Sequence, residues 1–287
     1  MTTAGQRALV LGGGGLAGIA WITGVMLGLE RAGVRLTGLD LIFGTSAGAA
    51  AGAQFALGAP LEDLYRRQTE PALQGVEIPP ADGMMDALRA EIARHAEVAD
   101  PAERMRRIGR YALGVASISE AERLTVIAGR LPSLDWPDQP LSLVAVDADS
   151  GGTVVLNRNS GATLTEAVAA SCAVPGVWPP TRIGARRYLD GGVRSPENLD
   201  LVAGHRRVLV ISPKGDAPGL FVAGSLRREI AVVEAAGGAV HVIAPDAAAR
   251  DAIGTNTLDP EVRIPAATAG LRQGGAEAAA TARFLAG

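Results

Sequence analysis

Gly44-Thr45-Ser46-Ala47-Gly48 is the stretch of this sequence whose residue types and spacing suit nucleophilic chemistry. An apolar run over residues 39–43 enters it, and alanine-rich, helix-favouring sequence leaves it. That order predicts strand, sharp turn, helix, a turn that lifts the serine hydroxyl out of the sheet. Gly44 and Gly48 suit the turn, because residues without Cβ relieve crowding of the backbone. The helix N-terminus that follows offers N–H groups and a positive dipole end where negative charge would develop during attack on an ester. In a chain with 37 glycines the same five residues also fit a plain loop with a capping serine.

A serine nucleophile needs a base. Arg186-Arg187-Tyr188-Leu189-Asp190-Gly191-Gly192 reads as a short strand delivering Asp190 at its end, beside two glycines that allow an open turn. An aspartate has a reference pKa of about 3.9, so it serves as a base only where burial raises that value. Three histidines are the other candidates. His95 falls in charged helical sequence and reads as solvated, His205 as a surface residue before a strand, and His241 as a core residue inside one. The order Ser46, Asp190, then His205 or His241 fits a Ser–Asp–His triad, so dyad and triad both stay open at this point.

Arg7–Leu11 reads as a buried strand, followed by Gly12-Gly13-Gly14-Gly15-Leu16-Ala17-Gly18 and a helix to about Ala32, with Ile19, Ile22, Met26 and Leu29 on one face. A glycine loop between strand and helix fits a dinucleotide pyrophosphate, an oxyanion, or a tight turn. The first of these wants an acid ending the second strand, and Asp40 begins that strand instead. Residues 60–131 turn helical, charged and amphipathic, which predicts a helical insertion packed on the sheet or a cap over an apolar cleft. Asp82-Gly83-Met84-Met85 interrupts it. Ser119–Glu122 and Thr163–Glu166 are capping boxes opening helices. Residues 141–147, 153–157, 207–212 and 239–244 read as strands, 225–236 as a helix, and 260–285 as a closing helix with Gly274-Gly275 as a weak point. Strands alternating with helices predict an α/β fold of three layers, α/β/α, around a largely parallel sheet. Gly12–Gly18, Ser46 and Asp190 would meet at its carboxyl edge.

The chain has 287 residues, 48% hydrophobic and 20% charged, enough for one ordered domain spanning 1–287. A net charge of −3 gives no electrostatic case for a nucleic-acid partner. Cys172 is the only cysteine, which fits a reducing compartment. Residues 1–11 lack the basic and apolar regions of a signal peptide, and no apolar run approaches the ~20 residues that span a bilayer. The expectation is a cytoplasmic protein that meets membranes, if at all, transiently at their surface.

Taken in order, the glycine loop, Gly44–Gly48 and Asp190-Gly191-Gly192 resemble the patatin-like phospholipase family. Ala170-Ser171-Cys172-Ala173-Val174-Pro175 with Pro179-Pro180 resembles a further segment of that family, so the resemblance covers at least residues 8–192. It implies a patatin-like fold and a serine lipid acyl hydrolase acting on phospholipid, lysophospholipid or another lipid ester. It implies Ser46 as nucleophile, Asp190 as partner in a two-residue dyad, and Gly13, Gly14 and Gly15 as the oxyanion hole. Gly18, Gly44, Gly48, Gly191 and Gly192 would support these motifs, with no metal or organic cofactor. The family pattern opens with Asp and carries Arg or Lys before its last glycine, where this chain has Gly12 and Ala17. The missing cation at Ala17 keeps a second class in view, a lipid-binding module without activity.

Overall fold

The computed structural model describes residues 7–115, 117–216 and 225–287. Residues 1–6, which begin the segment read as lacking a signal peptide, lie outside the described residues. The first half of the chain runs β1 (Arg7–Leu11), α1 (Gly15–Arg31), β2 (Leu41–Thr45), α2 (Ala47–Ala56), α3 (Leu61–Thr69), α4 (Met84–Arg94), α5 (Pro101–Gly114) and α6 (Glu120–Arg130). The second half runs β3 (Leu141–Asp147), β4 (Thr153–Leu156), α7 (Leu164–Ser171), β5 (Thr181–Ile183), β6 (Arg186–Asp190), β7 (Arg207–Ile211), α8 (Ser225–Ala235), β8 (Ala239–Ile243), α9 (Ala247–Ile253) and α10 (Arg263–Ala286).

The fold is a three-layer α/β/α sandwich. Strands β3, β2, β1, β7 and β8 pair in parallel, and β4, β5 and β6 add antiparallel pairings. Side chains alternate across the strands, as a pleated sheet requires. Leu9, Leu11, Ile42, Leu143, Leu209 and Ile211 face one layer, which holds α1, α2, α7 and α10. Val10, Phe43, Val144, Val208 and Val210 face the other, with Leu226 and Val233 of α8. Burial on both faces explains why these strands read as unbroken apolar runs.

Three registers decide where the chemistry sits. β3 carries β4 over Leu143–Val146, β2 over Leu141–Val144 and β6 over Ala145–Asp147. A strand has two edges. β4 occupies one, so β2 and β6 share the other, end to end. β2 runs parallel to β3 and stops with Thr45 opposite Val144. β6 runs antiparallel and stops with Asp190 opposite Ala145, the next residue. Two carboxyl-terminal tips, 145 residues apart in sequence (190 − 45), therefore meet on one splint.

Two expectations change here. Helix α1 is buried from Leu16 to Leu29 and has no exposed face over that span, because α10 packs against it. The backbones approach so closely that a Cβ on Gly24 would stand 2.2 Å from the Ala267 carbonyl oxygen, and one on Gly274 would stand 2.2 Å from that of Val25. Gly274 is thus a contact point of α10 and not its weak point; only Gly275 has open space around it. Likewise Gly83 does not interrupt a helix but precedes α4, whose Met84 and Met85 pack beside Leu88, Val177 and Trp178. Strand β5 and helix α9 were not legible as separate elements. The interior of α10 gives a paired prediction for urea unfolding. Gly274→Ala should cost about 1–3 kcal/mol through overpacking, while Gly275→Ala should gain about 0.5–1 kcal/mol through helix propensity. Equal effects would contradict the close helix contact.

Candidate active site

Ser46 has φ 54° and ψ −114°, a conformation that costs a residue with a Cβ about 1–3 kcal/mol. Its neighbours hold it there. The Ser46 N–H donates to Ser171 Oγ (3.0 Å), and Cys172 Sγ donates to the Ser46 carbonyl (3.2 Å). The same carbonyl accepts from the N–H groups of Ala49 and Ala50, opening α2. Gly48 seats that helix: its N–H donates to the Gly12 carbonyl (3.0 Å), and a Cβ there would lie 1.9 Å from the Leu11 carbonyl oxygen. Cys172 itself is buried, and burial pushes its thiol up to about 12, so it remains a neutral donor.

Asp190 is 4% exposed and its Oδ1 accepts the Gly192 N–H at 2.7 Å. The Ser46 hydroxyl lies near enough to the carboxyl group to favour its ionised form. Burial raises the Asp190 pKa to about 6, against the opposing pull of the Gly192 N–H, the Ser46 hydroxyl and the Arg123 charge. That value suits an acid that must be ionised at neutral pH yet still accept a proton. Backbone geometry adds a tie, because the Asp190 N–H donates to the Ala173 carbonyl (2.9 Å).

The sequence reading missed Asn198. Its side chain is wholly buried, and Nδ2 donates to Thr45 Oγ1 (3.1 Å), the Gly191 carbonyl (3.2 Å) and the Ser195 carbonyl (2.6 Å). It therefore joins the residue before Ser46 to the residue after Asp190. Arg194 Nη1 donates to Asn198 Oδ1 (2.8 Å), which fixes the amide's orientation. No local pattern marked Asn198; only the fold brings it to Thr45.

The glycine loop contributes unequally. Gly13 lies beside the serine, with a Cβ there standing 3.5 Å from Ser46 Cβ. Its N–H, however, donates to the Pro196 carbonyl (2.8 Å) and is not free for an oxyanion. This corrects the expectation that three glycine amides share that task. Gly14 and Gly15 have N–H groups without an acceptor among the described residues, as does Ala47 in the first turn of α2. Gly18 lies over Ala47 and Pro213. The space that a side chain at Gly12 would need is taken by Glu197, whose Oε1 lies 3.2 Å from the Cβ position. Burial raises Glu197 to about 7, and its Oε1 accepts the Ser212 hydroxyl at 2.5 Å.

A cavity of ≈ 160 Å³ joins these parts, lined by Gly13–Gly15, Ser46, Ala47, Cys172 and Asp190 together with Ile19, Val174, Trp178 and Leu258. Glu77, Ile78, Met85, Arg123 and Arg130, all from the segment 60–131, also line it, as does Lys214. None of the three histidines borders it. His95 pairs with Glu91 (2.8 Å) and its side chain is 15% exposed, so it is not solvated as its sequence context suggested. His205 bonds the Val202 carbonyl, and His241 stacks on Phe284 beside Thr281, half-buried where a core position was expected. Among the described residues no cluster of three or more His, Cys, Asp or Glu could hold a metal ion, and no helix is long and apolar enough to cross a membrane.

A family model described as patatin-like phospholipase matches residues 9–203. Two uncharacterized NTE family proteins, from Mycobacterium tuberculosis and Mycobacterium bovis, are each 30% identical to the chain over 190 residues. The match covers 64% of this chain and only 26% of each relative. Among solved structures, VipD from Legionella pneumophila superposes with a TM-score of 0.47 at 14% identity, over 96% of this chain and 67% of its own.

The burial of Asp190 makes a stability prediction. Its folded pKa of about 6 lies above the ordinary aspartate value of 3.8, so the stability tied to its protonated form is present at low pH and is lost as pH rises through about 6. Asp190→Asn carries no such loss. The variant's melting temperature should gain on that of the wild type as pH rises from about 4 to about 7. A difference that stays constant over this range would show the carboxyl group to be ionised without penalty.

Proposed function

We propose that this chain, which belongs to the patatin-like phospholipase family, is a serine hydrolase of lipid acyl esters. The observation that carries the proposal is the meeting of a strained, raised Ser46 with a buried Asp190 in one cavity. In this reading Asp190 is ionised above about pH 6. It accepts the Ser46 proton as Oγ attacks the ester carbonyl carbon. The carbonyl oxygen becomes an oxyanion beside the free N–H groups of Gly14, Gly15 and Ala47; one such donor is typically worth ~3 kcal/mol of barrier. Collapse of the tetrahedral state breaks the bond to the leaving alkoxide, which takes the proton back from Asp190. Water then attacks the acyl-serine, giving its proton to Asp190, and the second collapse releases the fatty acid and restores the serine. The residues' own acid–base chemistry balances each step, so this route needs no metal or organic cofactor.

The placement of the histidines favours a dyad over a triad, since each ring is engaged away from the cavity. Phospholipid, lysophospholipid and simpler esters all remain candidate substrates. Contact with a lipid surface is supported by Leu73 and Val76, 41% and 83% exposed, which precede the cavity-lining Glu77 and Ile78. Hydrolysis of monomeric and vesicle-dispersed lyso-phospholipid tests the reading. Ser46→Ala and Asp190→Asn should each lower kcat by about a thousandfold or more with the fold intact, while His205→Ala and His241→Ala stay active. A folded His variant without turnover would replace the dyad with a triad, and a wild type silent on every ester would leave only a binding module.

A further inference from the structure

Arg123 is the one cavity-lining cation whose buried nitrogens lack a protein acceptor among the described residues. It projects from α6, is 3% exposed, and neither Nε nor Nη1 donates to any described group. The other guanidiniums nearby are occupied. Arg130 pairs with Glu77 at 2.6 Å, and Arg263 pairs with the other oxygen of the same carboxylate at 2.8 Å. Leaving a buried charged donor unmatched costs a fold more than almost any other polar defect. Such a group in a substrate cavity calls for a ligand that completes it.

The side chain is also preoriented. The Trp178 ring covers one face of the guanidinium, with its central carbon 4.2 Å from the ring centroid. An acceptor must then approach in the guanidinium plane, where the N–H fork matches the two oxygens of a phosphate or carboxylate. Burial lowers the Arg123 pKa to about 10, which still leaves it charged at neutral pH. Arg123 lies close enough to Asp190 for each charge to shift the other. A ligand anion there and an ester carbonyl at Ser46 can therefore belong to one small molecule.

Resting on the hydrolase reading, we propose that Arg123 recognises an anionic group, phosphate or carboxylate, carried by the ester substrate beside its scissile acyl chain.

The test compares kcat/KM on three soluble esters with one acyl chain: hexanoyl glycerol phosphate, the hexanoyl ester of glycolic acid, and neutral hexanoyl glycerol. The wild type should favour one anionic ester over the neutral one by about tenfold or more, as a charge-assisted bond allows. The phosphate and glycolate arms tell which anion it is. In Arg123→Gln that ratio should collapse towards one, and Arg123→Lys should keep part of it, which also serves if the Gln variant does not fold. No anionic preference in the wild type, or an equal loss on neutral and anionic esters in both variants, overturns the proposal. Should the wild type cleave none of the three, the hydrolase reading fails separately. Calorimetry with the ether analogues of both anionic esters, phosphate and glycolate, then decides the subsite. Binding of either analogue weakened at least about tenfold in Arg123→Gln upholds it, and binding of both that is absent or unaltered refutes it.

Discussion

The structure depends on one junction, where β2 and β6 abut on the same edge of β3. Each strand ends there, and neither continues past the other. Thr45 stands opposite Val144 and Asp190 opposite Ala145, so adjacent residues of β3 set the separation of the two tips. A carboxylate on a loop would have to be ordered by its own contacts. Here the sheet's hydrogen-bond ladder does the ordering, and Asn198 locks the two exits together through Thr45 and Gly191. Local strain at Ser46 persists because Ser171, Cys172 and the first turn of α2 all hold its backbone.

The second constraint is dielectric. A carboxylate this buried would ordinarily take up a proton, and the site moderates that tendency without removing it. The Gly192 N–H, the Ser46 hydroxyl and the Arg123 charge each favour the ionised form, while burial outweighs them. The outcome is an acid raised from the ordinary 3.8 to about 6. In the proposed mechanism that shift lets Asp190 serve as the base without a histidine between it and the serine. Three guanidiniums and Lys214 surround the same region with Glu77, Glu197 and Asp190. Among the cations that line the cavity, Arg123 is the one with buried nitrogens that no described group accepts from.

Much of this was legible in the residues. The strand–turn–helix at Ser46, the strand end at Asp190 and both capping boxes follow from short-range rules of turns and caps, and the coordinates agree with them to within a residue or two. What was not legible is long-range. Asp190 was expected at the carboxyl edge of a parallel sheet, but it arrives on an antiparallel strand that meets β2 tip to tip, a register no local pattern encodes. Gly13 reads like its neighbours until Pro196 comes round to occupy its amide. Gly274 looks like a helix defect until α1 is laid against it. Arg123 reads as one charge among many on an amphipathic helix, and only the fold turns it inward over Trp178.

The central claim is that Asp190, and no other group, draws the proton from Ser46. The most direct measurement is the pH dependence of the rate at which a fluorophosphonate probe labels Ser46. The account predicts a rate that rises with pH through a single ionisation near 6 in the wild type. In Asp190→Asn that rate should be slow and without the ionisation. Fast labelling of Asp190→Asn with an unchanged pH profile would contradict it.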